Sequence, residues 1–458
     1  MTTVGAFMTA LDSSVLIVGL PSVLHELNAS LVHGVWIITG YRLAITILLV
    51  AIGRVADMLG RVRLYNLGFA IFTVSSALCA LSQSGEQLIL SRLAQGIGGA
   101  LMVVNSVALI ADAFPATELG TGIGINFMAF NLGSVVGYTL SGIMVDLAGW
   151  RSIFLINIPT GIFGTFWAHL RLREMHRGVY ERFDYCGAIL YSSALTLILF
   201  ALSLESLGSP VGLALLATGL FLLPVFAAVE KRIAHPTLDL ALFKIRQFSA
   251  GNVASFLNAV AFNSLPFVMT LYFQLIRHEG ALTTGILFIP MEVAVLIFGP
   301  LSGKLSDRYG ARGLSTLGLF FMAATYLWLC TADQKIGYAT IALGLIAAGV
   351  GRGLFMSPNA SSIMGQVPPD RRGVANGVRT TINQTAIVVS LPLSLAFMTL
   401  AMPYSQLSQL TGGSADLIAQ NMTTFLSALH AALRMSALLV LLAVIPSLLR
   451  GPKIDHET

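Results

Sequence analysis

Fourteen apolar runs succeed one another along the chain with only short polar breaks between them. They fall at 4–25, 34–56, 65–83, 87–111, 121–145, 152–170, 185–205, 210–229, 248–275, 282–302, 314–331, 336–357, 373–402 and 430–449. An apolar stretch of about 20 residues is the length of helix that crosses the hydrocarbon of a bilayer. In lipid a segment must satisfy its own backbone N–H and C=O groups, so each run is predicted to be one membrane-spanning helix. Only 10% of the 458 residues are charged while 56% are hydrophobic, against about 25% charged in a soluble domain. So few charges cannot cover a water-facing surface of this size. The predicted fold is an all-α integral membrane bundle of 14 transmembrane helices, in contact with the lipid bilayer and without a large soluble domain. The longest stretch between runs, 403–429, lacks Lys and Arg and is expected outside.

The basic residues test this map, because loops on the cytoplasmic side are enriched in Lys and Arg. With the N-terminus placed inside, 18 of the 26 Lys and Arg residues fall in cytoplasmic loops or the C-terminal tail. Three lie outside (Arg151, Arg277 and Lys335), and five lie within spans. The bias predicts an even number of spans in the cytoplasmic (inner) membrane, with both termini cytoplasmic. A net charge of +5 distributed over such loops sets topology and does not indicate nucleic-acid binding. The three cysteines, Cys79, Cys186 and Cys330, and the eight histidines are scattered without metal-ligand spacing. Neither a metal nor a cofactor is expected. The first run lacks a preceding basic region and contains Asp12, so it reads as a first span and not as a cleaved signal peptide.

An internal repeat organises the spans. Gly53-Arg-Val-Ala-Asp57-Met-Leu-Gly60 returns 250 residues later as Gly303-Lys-Leu-Ser-Asp307-Arg-Tyr-Gly310. Both copies follow the second span of a six-span set on the same predicted side. Two six-span halves with two spans inserted between them produce that offset. The expected division is an N-terminal six-span bundle (1–183), two inserted spans with a cytoplasmic linker (184–247), and a C-terminal six-span bundle (248–458). The glycines are expected to reverse the chain in a tight turn, and the Asp to meet a helix N-terminus or an Arg. Gly53, Asp57, Gly60, Arg61, Gly303, Asp307 and Gly310 are the candidate gating residues.

Further motifs run along the whole chain. They are Leu11-Asp12 through Leu20-Pro21, Trp36 and Tyr41, Leu90-x-Arg92-x-x-Gln95-Gly96-x-Gly98, and Trp150-Arg151-Ser-Ile-Phe154-Leu-Ile-Asn157-Ile-Pro159-x-Gly161. Later come Gly349-x-Gly351-x-Gly353, Pro358-Asn359 and Pro368-Pro369-x-Arg371-Arg372-Gly373. With the repeated loop, they resemble the major facilitator superfamily, and most of all its fourteen-span drug/proton antiporter branch. The chain departs from that pattern in two places. The fifth-span motif has Tyr138 where the family has Pro and Ser141 where it has Gly, and the first gate loop has Met58 where Arg is usual. The resemblance implies alternating access and a coupling or cation-recognition role for carboxylates in the first and tenth spans. It also implies that Arg92 pairs with a first-span carboxylate or a backbone carbonyl.

Ionisable groups inside spans are costly and mark functional sites. Asp12 and Glu292, near the middle of spans 1 and 10, are the candidate proton-coupling residues. The alternative is an ordering salt bridge for Asp12 and a water-reached kink at Pro290 for Glu292. Candidate substrate-binding residues are Tyr41, Arg42, Arg92, Asn131, Tyr138, Asn258, Asn263, Gln274 and Arg352. For each Asn, an interhelical hydrogen bond is the competing role. Arg42, near mid-membrane, is not demanded by the family pattern. No nucleophile–base pair, metal cluster or phosphate-binding Gly-x-x-x-x-Gly-Lys-Ser/Thr loop is present, so catalysis is not expected and the chain is read as no enzyme. The resemblance implies proton-coupled efflux of small amphipathic compounds, expected of a monomer, with a small-molecule substrate and protons as partners. The alternative is a specific metabolite or organic-anion transporter on the same fold. Arg42, Arg352 and the altered fifth-span motif favour that alternative.

Overall fold

The computed structural model describes residues 2–114, 119–172, 174, 184–203, 209–233, 240–368, 371–407 and 415–450. The chain is helical throughout the described spans. The helices are α1 (Thr2–Glu26), α2 (Leu31–Leu59), α3 (Arg61–Leu81), α4 (Gly85–Ala113), α5 (Leu119–Ala148), α6 (Ser152–Leu155), α7 (Asn157–Arg171), α8 (Tyr185–Ser203) and α9 (Pro210–Glu230). They continue as α10 (Arg246–Leu271), α11 (Ala281–Leu287), α12 (Ile289–Tyr309), α13 (Ala311–Leu329), α14 (Tyr338–Gly365), α15 (Arg372–Ala401) and α16 (Ala415–Leu448). A π-helical turn, Tyr272–Ile276, prolongs α10.

Among the described residues 13 spans are long and apolar enough to cross a membrane, one fewer than the fourteen predicted. The difference is α13, 19 residues long, whose first turns hold Arg312, Gly313, Ser315 and Thr316 and dilute its apolar character. Two spans are broken helices. α6 and α7 are interrupted at Ile156, and α11 and α12 at Phe288, with Pro290 at the start of α12 where it forfeits no needed hydrogen bond. The stretch 403–429, expected to lie outside the spans, is partly helical. α16 begins at Ala415, and Phe425, Ala428 and Leu429 are buried. The Ser/Gln-rich composition there hid a helix that continues past its apolar run.

The chain forms two compact units. Unit 1 comprises Met1–Leu223, Phe273–Ile286 and Ser405–Ile418; unit 2 comprises Pro224–Tyr272, Leu287–Tyr404 and Ala419–Thr458. Their internal packing repeats. In unit 1, α1 packs on α5, and α4 lies against α2 and α3. In unit 2, α10 packs on α15, and α14 lies against α12 and α13.

Individual atoms follow the same repeat. A Cβ on Gly96 would sit 2.5 Å from the Tyr41 carbonyl oxygen, and one on Gly349 2.2 Å from that of Met291. These glycines let the fourth helix of each repeat touch the backbone of the second. Ser141 Oγ donates to the Val15 carbonyl at 2.6 Å, and Ser390 Oγ to the Val260 carbonyl at 2.7 Å. Each bond pins a fifth helix to a first one. Ser141 therefore replaces the family glycine with a hydroxyl that has a partner.

The repeated Gly-x-x-x-Asp-x-x-Gly segment differs from its predicted form. Most of it is helix, the ends of α2 and α12, and a single glycine makes each reversal. Gly60 (φ +103°) and Gly310 (φ +82°) occupy backbone space that a side chain disfavours.

Candidate functional site

Asp12 lies at mid-helix in α1, an apolar helix that a carboxylate enters only if its charge is met. In unit 1 it is met from two other helices. Arg92 Nη1 donates to Oδ2 at 2.6 Å, while Gln95 Nε2 and Asn157 Nδ2 donate to Oδ1 at 2.9 and 2.8 Å. The spacing of Arg92 and Gln95, three residues apart in α4, puts both on one helix face. Asn157 opens α7 after the break at Ile156.

Arg92 spends its other donors within the same unit. Its Nε donates to the Ile37 carbonyl at 3.1 Å and its Nη1 also to Gln95 Oε1 at 2.6 Å. Its guanidinium stacks 4.2 Å over the Tyr41 ring. Gln95 Nε2 further reaches Ser76 Oγ at 2.8 Å. Asp12, Arg92, Gln95 and Asn157 are each at most 3% exposed. The result is a buried ionic lock joining α1, α2, α3, α4 and α7. Gln95 and Asn157, quoted above only as family motif letters, are functional members of it. Their signal was the polar letter at helical spacing from Arg92, or at a helix start.

Arg42 sits beside this lock and is not part of it. It is half-buried on α2 and makes no side-chain hydrogen bond or ion pair among the described residues. The titratable groups nearest it are Tyr138, Tyr41, Arg92 and Asp12. Tyr138 is buried on α5, next to Gly137, whose Cβ would lie 2.9 Å from the Leu11 carbonyl. Asn131 is half-buried on the same helix, two turns earlier.

In unit 2, Glu292 is half-buried in the first turn of α12, where the positive end of the helix favours an anion. It makes no hydrogen bond among the described residues through its carboxylate, and the charge whose field reaches it is Arg352 on α14. The Arg352 guanidinium lies 3.7 Å over the Phe262 ring of α10. Asn258 is buried on α10. Asn263 donates back to the Ala259 carbonyl of its own helix at 2.7 Å. Gln274, in the part of the chain that belongs to unit 1, donates to the Val18 carbonyl at 2.9 Å. Both amides thus make backbone hydrogen bonds.

At the Gly60 turn, Arg61 Nη1 pairs with Asp112 at 2.6 Å. Glu174 Oε1 accepts from the Arg61 backbone N–H at 2.8 Å, and Oε2 from that of Val62 at 3.1 Å. Two carboxylates therefore hold this turn, one on the side chain and one on the helix start. Glu174 was not among the predicted gating residues, because it lies far along the sequence, after α7. Gly53, Asp57 and Asp307 are described only in their helical backbone. Gly303 packs against Ser357 of α14. Among the described residues no cluster of His, Cys, Asp and Glu could hold a metal.

The sequence pattern of the Major Facilitator Superfamily matches residues 2–391. The chain is 30% identical over 429 residues to the riboflavin transporter RibZ of Clostridioides difficile (strain 630), covering 93% of this chain and 92% of that protein. It is 31% identical over 384 residues to the multidrug resistance protein Stp of Mycobacterium tuberculosis (strain CDC 1551 / Oshkosh), covering 82% and 71%. Among solved structures, a bacterial homologue of the human lysosomal transporter Spinster, inward-facing and unoccupied, superposes with a TM-score of 0.71 at 15% identity, covering 98% of this chain and 95% of that one.

Proposed function

The chain belongs to the major facilitator superfamily and is a multi-pass membrane transporter of small molecules, not an enzyme; from that premise we propose that it is a proton-coupled exporter of small amphipathic compounds. The observation that carries the coupling is the contrast between its two mid-span carboxylates. Asp12 is enclosed by three donors, one of them a cation. Glu292 is half-buried without a carboxylate hydrogen bond among the described residues, so a proton can reach it without first breaking a lock. Glu292 is the acid that loads and unloads protons, and Asp12 holds the frame in which α1 moves. The similarity to a multidrug resistance protein supports efflux.

Purified protein in liposomes with an imposed pH gradient tests this reading. Glu292→Gln should lose gradient-driven transport while keeping substrate exchange without a gradient. Full gradient-driven transport by that variant would sink the proposal. Reporter fusions at the C-terminus and in the α1–α2 turn near Asn28 should give opposite signals if both termini are cytoplasmic.

A second reading, a carrier of one specific metabolite, is supported by the similarity to a riboflavin transporter over nearly the whole chain. A narrow substrate profile in the same liposomes would favour it.

A further inference from the structure

Two features of this chain depart from the pattern of its family, and they fall together. Arg42 is a cation the family pattern does not require, and Tyr138 stands where the fifth-span motif has Pro. They flank one turn of α1. Arg42 follows Tyr41, whose ring lies under Arg92, the partner of Asp12. Tyr138 follows Gly137, which packs against Leu11 and Ser14. The charge balance of unit 1 is equally specific. Its mid-span charges are Asp12, Arg92 and Arg42, and the first two neutralise each other. All the contacts of Asp12 are spent within the lock, where its side chain is 1% exposed, so it cannot turn to serve Arg42 as well. One positive charge is left over, half-buried and without a hydrogen bond or ion pair among the described residues. An uncompensated guanidinium at this depth is costly. The titratable groups around it, Asp12 of α1, Arg92 of α4 and Tyr138 of α5, are all buried within unit 1.

We propose that Arg42 and Tyr138 form a recognition site for an anionic group, a carboxylate or phenolate, on the transported molecule. The guanidinium offers a planar fork of donors to a carboxylate. The Tyr138 hydroxyl adds a polar group beside it, and the Tyr138 ring suits an aromatic body next to the acid. The exporter's substrates are thereby narrowed to amphipathic acids or zwitterions. This narrowing rests on the transport reading above, but not on its proton coupling.

The test is counterflow in proteoliposomes without a pH gradient, so that a failure of coupling leaves it readable. The probes are rhodamine 110, which carries a free carboxylate, and its methyl ester rhodamine 123. The two share one ring system and differ at the acid. Wild-type protein should move the acid faster than the ester at equal concentration. Arg42→Gln should lose 10-fold or more on the acid, mainly as a rise in KM, and less than 2-fold on the ester. Arg42→Lys should recover part of the acid transport, and Tyr138→Phe should lose a few-fold on the acid alone. Melting temperatures of the variants show whether each is folded. Equal losses on both probes, a wild-type preference for the ester, or movement of neither probe would overturn the proposal. Loss of gradient-driven transport in Glu292→Gln, with this pattern intact, separates the two claims.

Discussion

Removing the charge of Asp12 should cost the fold more than it costs the transport chemistry. In Asp12→Asn, the remaining Oδ1 can still accept from Gln95 and Asn157, which now approach at 2.9 and 2.8 Å. The new amide Nδ2 then faces Arg92 Nη1 where an oxygen stood 2.6 Å away, donor against donor. Arg92, 1% exposed, is left as a buried cation without its counter-ion. Breaking a buried pair from one side costs about 3–5 kcal/mol. At roughly 2–4 °C per kcal/mol for a unit of 150–250 residues, the melting temperature in detergent should fall by about 10 °C. Arg92→Met in the same background removes the orphaned cation. The double variant should therefore melt above Asp12→Asn alone, the non-additivity expected of one network. The assay is a thermal melt of the purified single and double variants. If Asp12→Asn melts with the wild type, or the two losses simply add, then the pair is not a lock, and Asp12 returns as a candidate proton carrier equal to Glu292.

Three more outcomes follow from the packing and the turns. Gly96→Ala and Gly349→Ala should each lower the melting temperature by an equivalent of about 1–3 kcal/mol, because the added methyl meets the carbonyl of Tyr41 or Met291; a neutral result at both would mean the crossings are looser than described. Glu174→Gln should raise amide exchange at Arg61 and Val62, with a stability loss of about 0.5–2 kcal/mol for a lost cap, and unchanged exchange would show that another group holds the helix start. Arg450, buried at the end of α16 with its three guanidinium nitrogens unpartnered among the described residues, has its pKa pulled by burial well below the usual guanidinium value, to about 10. The folded state holds this proton less firmly than the unfolded one, so the charge penalises the fold below about pH 10 and the penalty fades as pH rises through that value. Arg450→Leu should accordingly raise the melting temperature at pH 7, by an equivalent of up to about 3 kcal/mol at 1.36 kcal/mol per pH unit, and by less at pH 10.5; a lower melting temperature at pH 7 would reveal an anionic partner for Arg450 beyond the last span.

The helices were legible because lipid imposes one solution on an apolar run. Their lengths were less so. α2 runs to Leu59 and α14 to Gly365, beyond the apolar residues, since a helix does not stop where hydrophobicity does. Gly60 and Gly310 were readable as turn residues. That each reverses the chain alone was not, because Asp57 and Asp307 look like loop residues and are helical. The Asp12–Arg92 pair was foreseen through the family motif. Its closure by Gln95 and Asn157 depends on the rotation of α4 and α7 about their axes, which spacing within one helix cannot supply. The partner of Ser141 was hidden for the same reason. A hydroxyl in place of glycine reads as a defect until the Val15 carbonyl appears opposite it.

The repeat explains why the two carboxylates differ. The glycine crossings align Gly96 with Gly349 and Tyr41 with Met291. The same register places Arg42 opposite Glu292 in the repeat, Arg92 opposite Leu345, and Gln95 opposite Ala348. Backbone contacts recur because two helices can approach this closely only where side chains are absent. The polar side chains do not recur. Unit 2 has leucine and alanine where unit 1 has the cation and the amide that close the lock. Its one mid-span carboxylate has moved to the second helix of the repeat, and its cation, Arg352, to the position of Gly99. A carboxylate in unit 2 therefore lacks the donors that enclose Asp12, and at Arg42 unit 1 has a cation where unit 2 has an acid. The described spans thus hold the locked Asp12–Arg92 pair, an unlocked acid at Glu292 and an unlocked base at Arg42. The unlocked groups are therefore the ones to which the proposed proton and substrate roles are assigned.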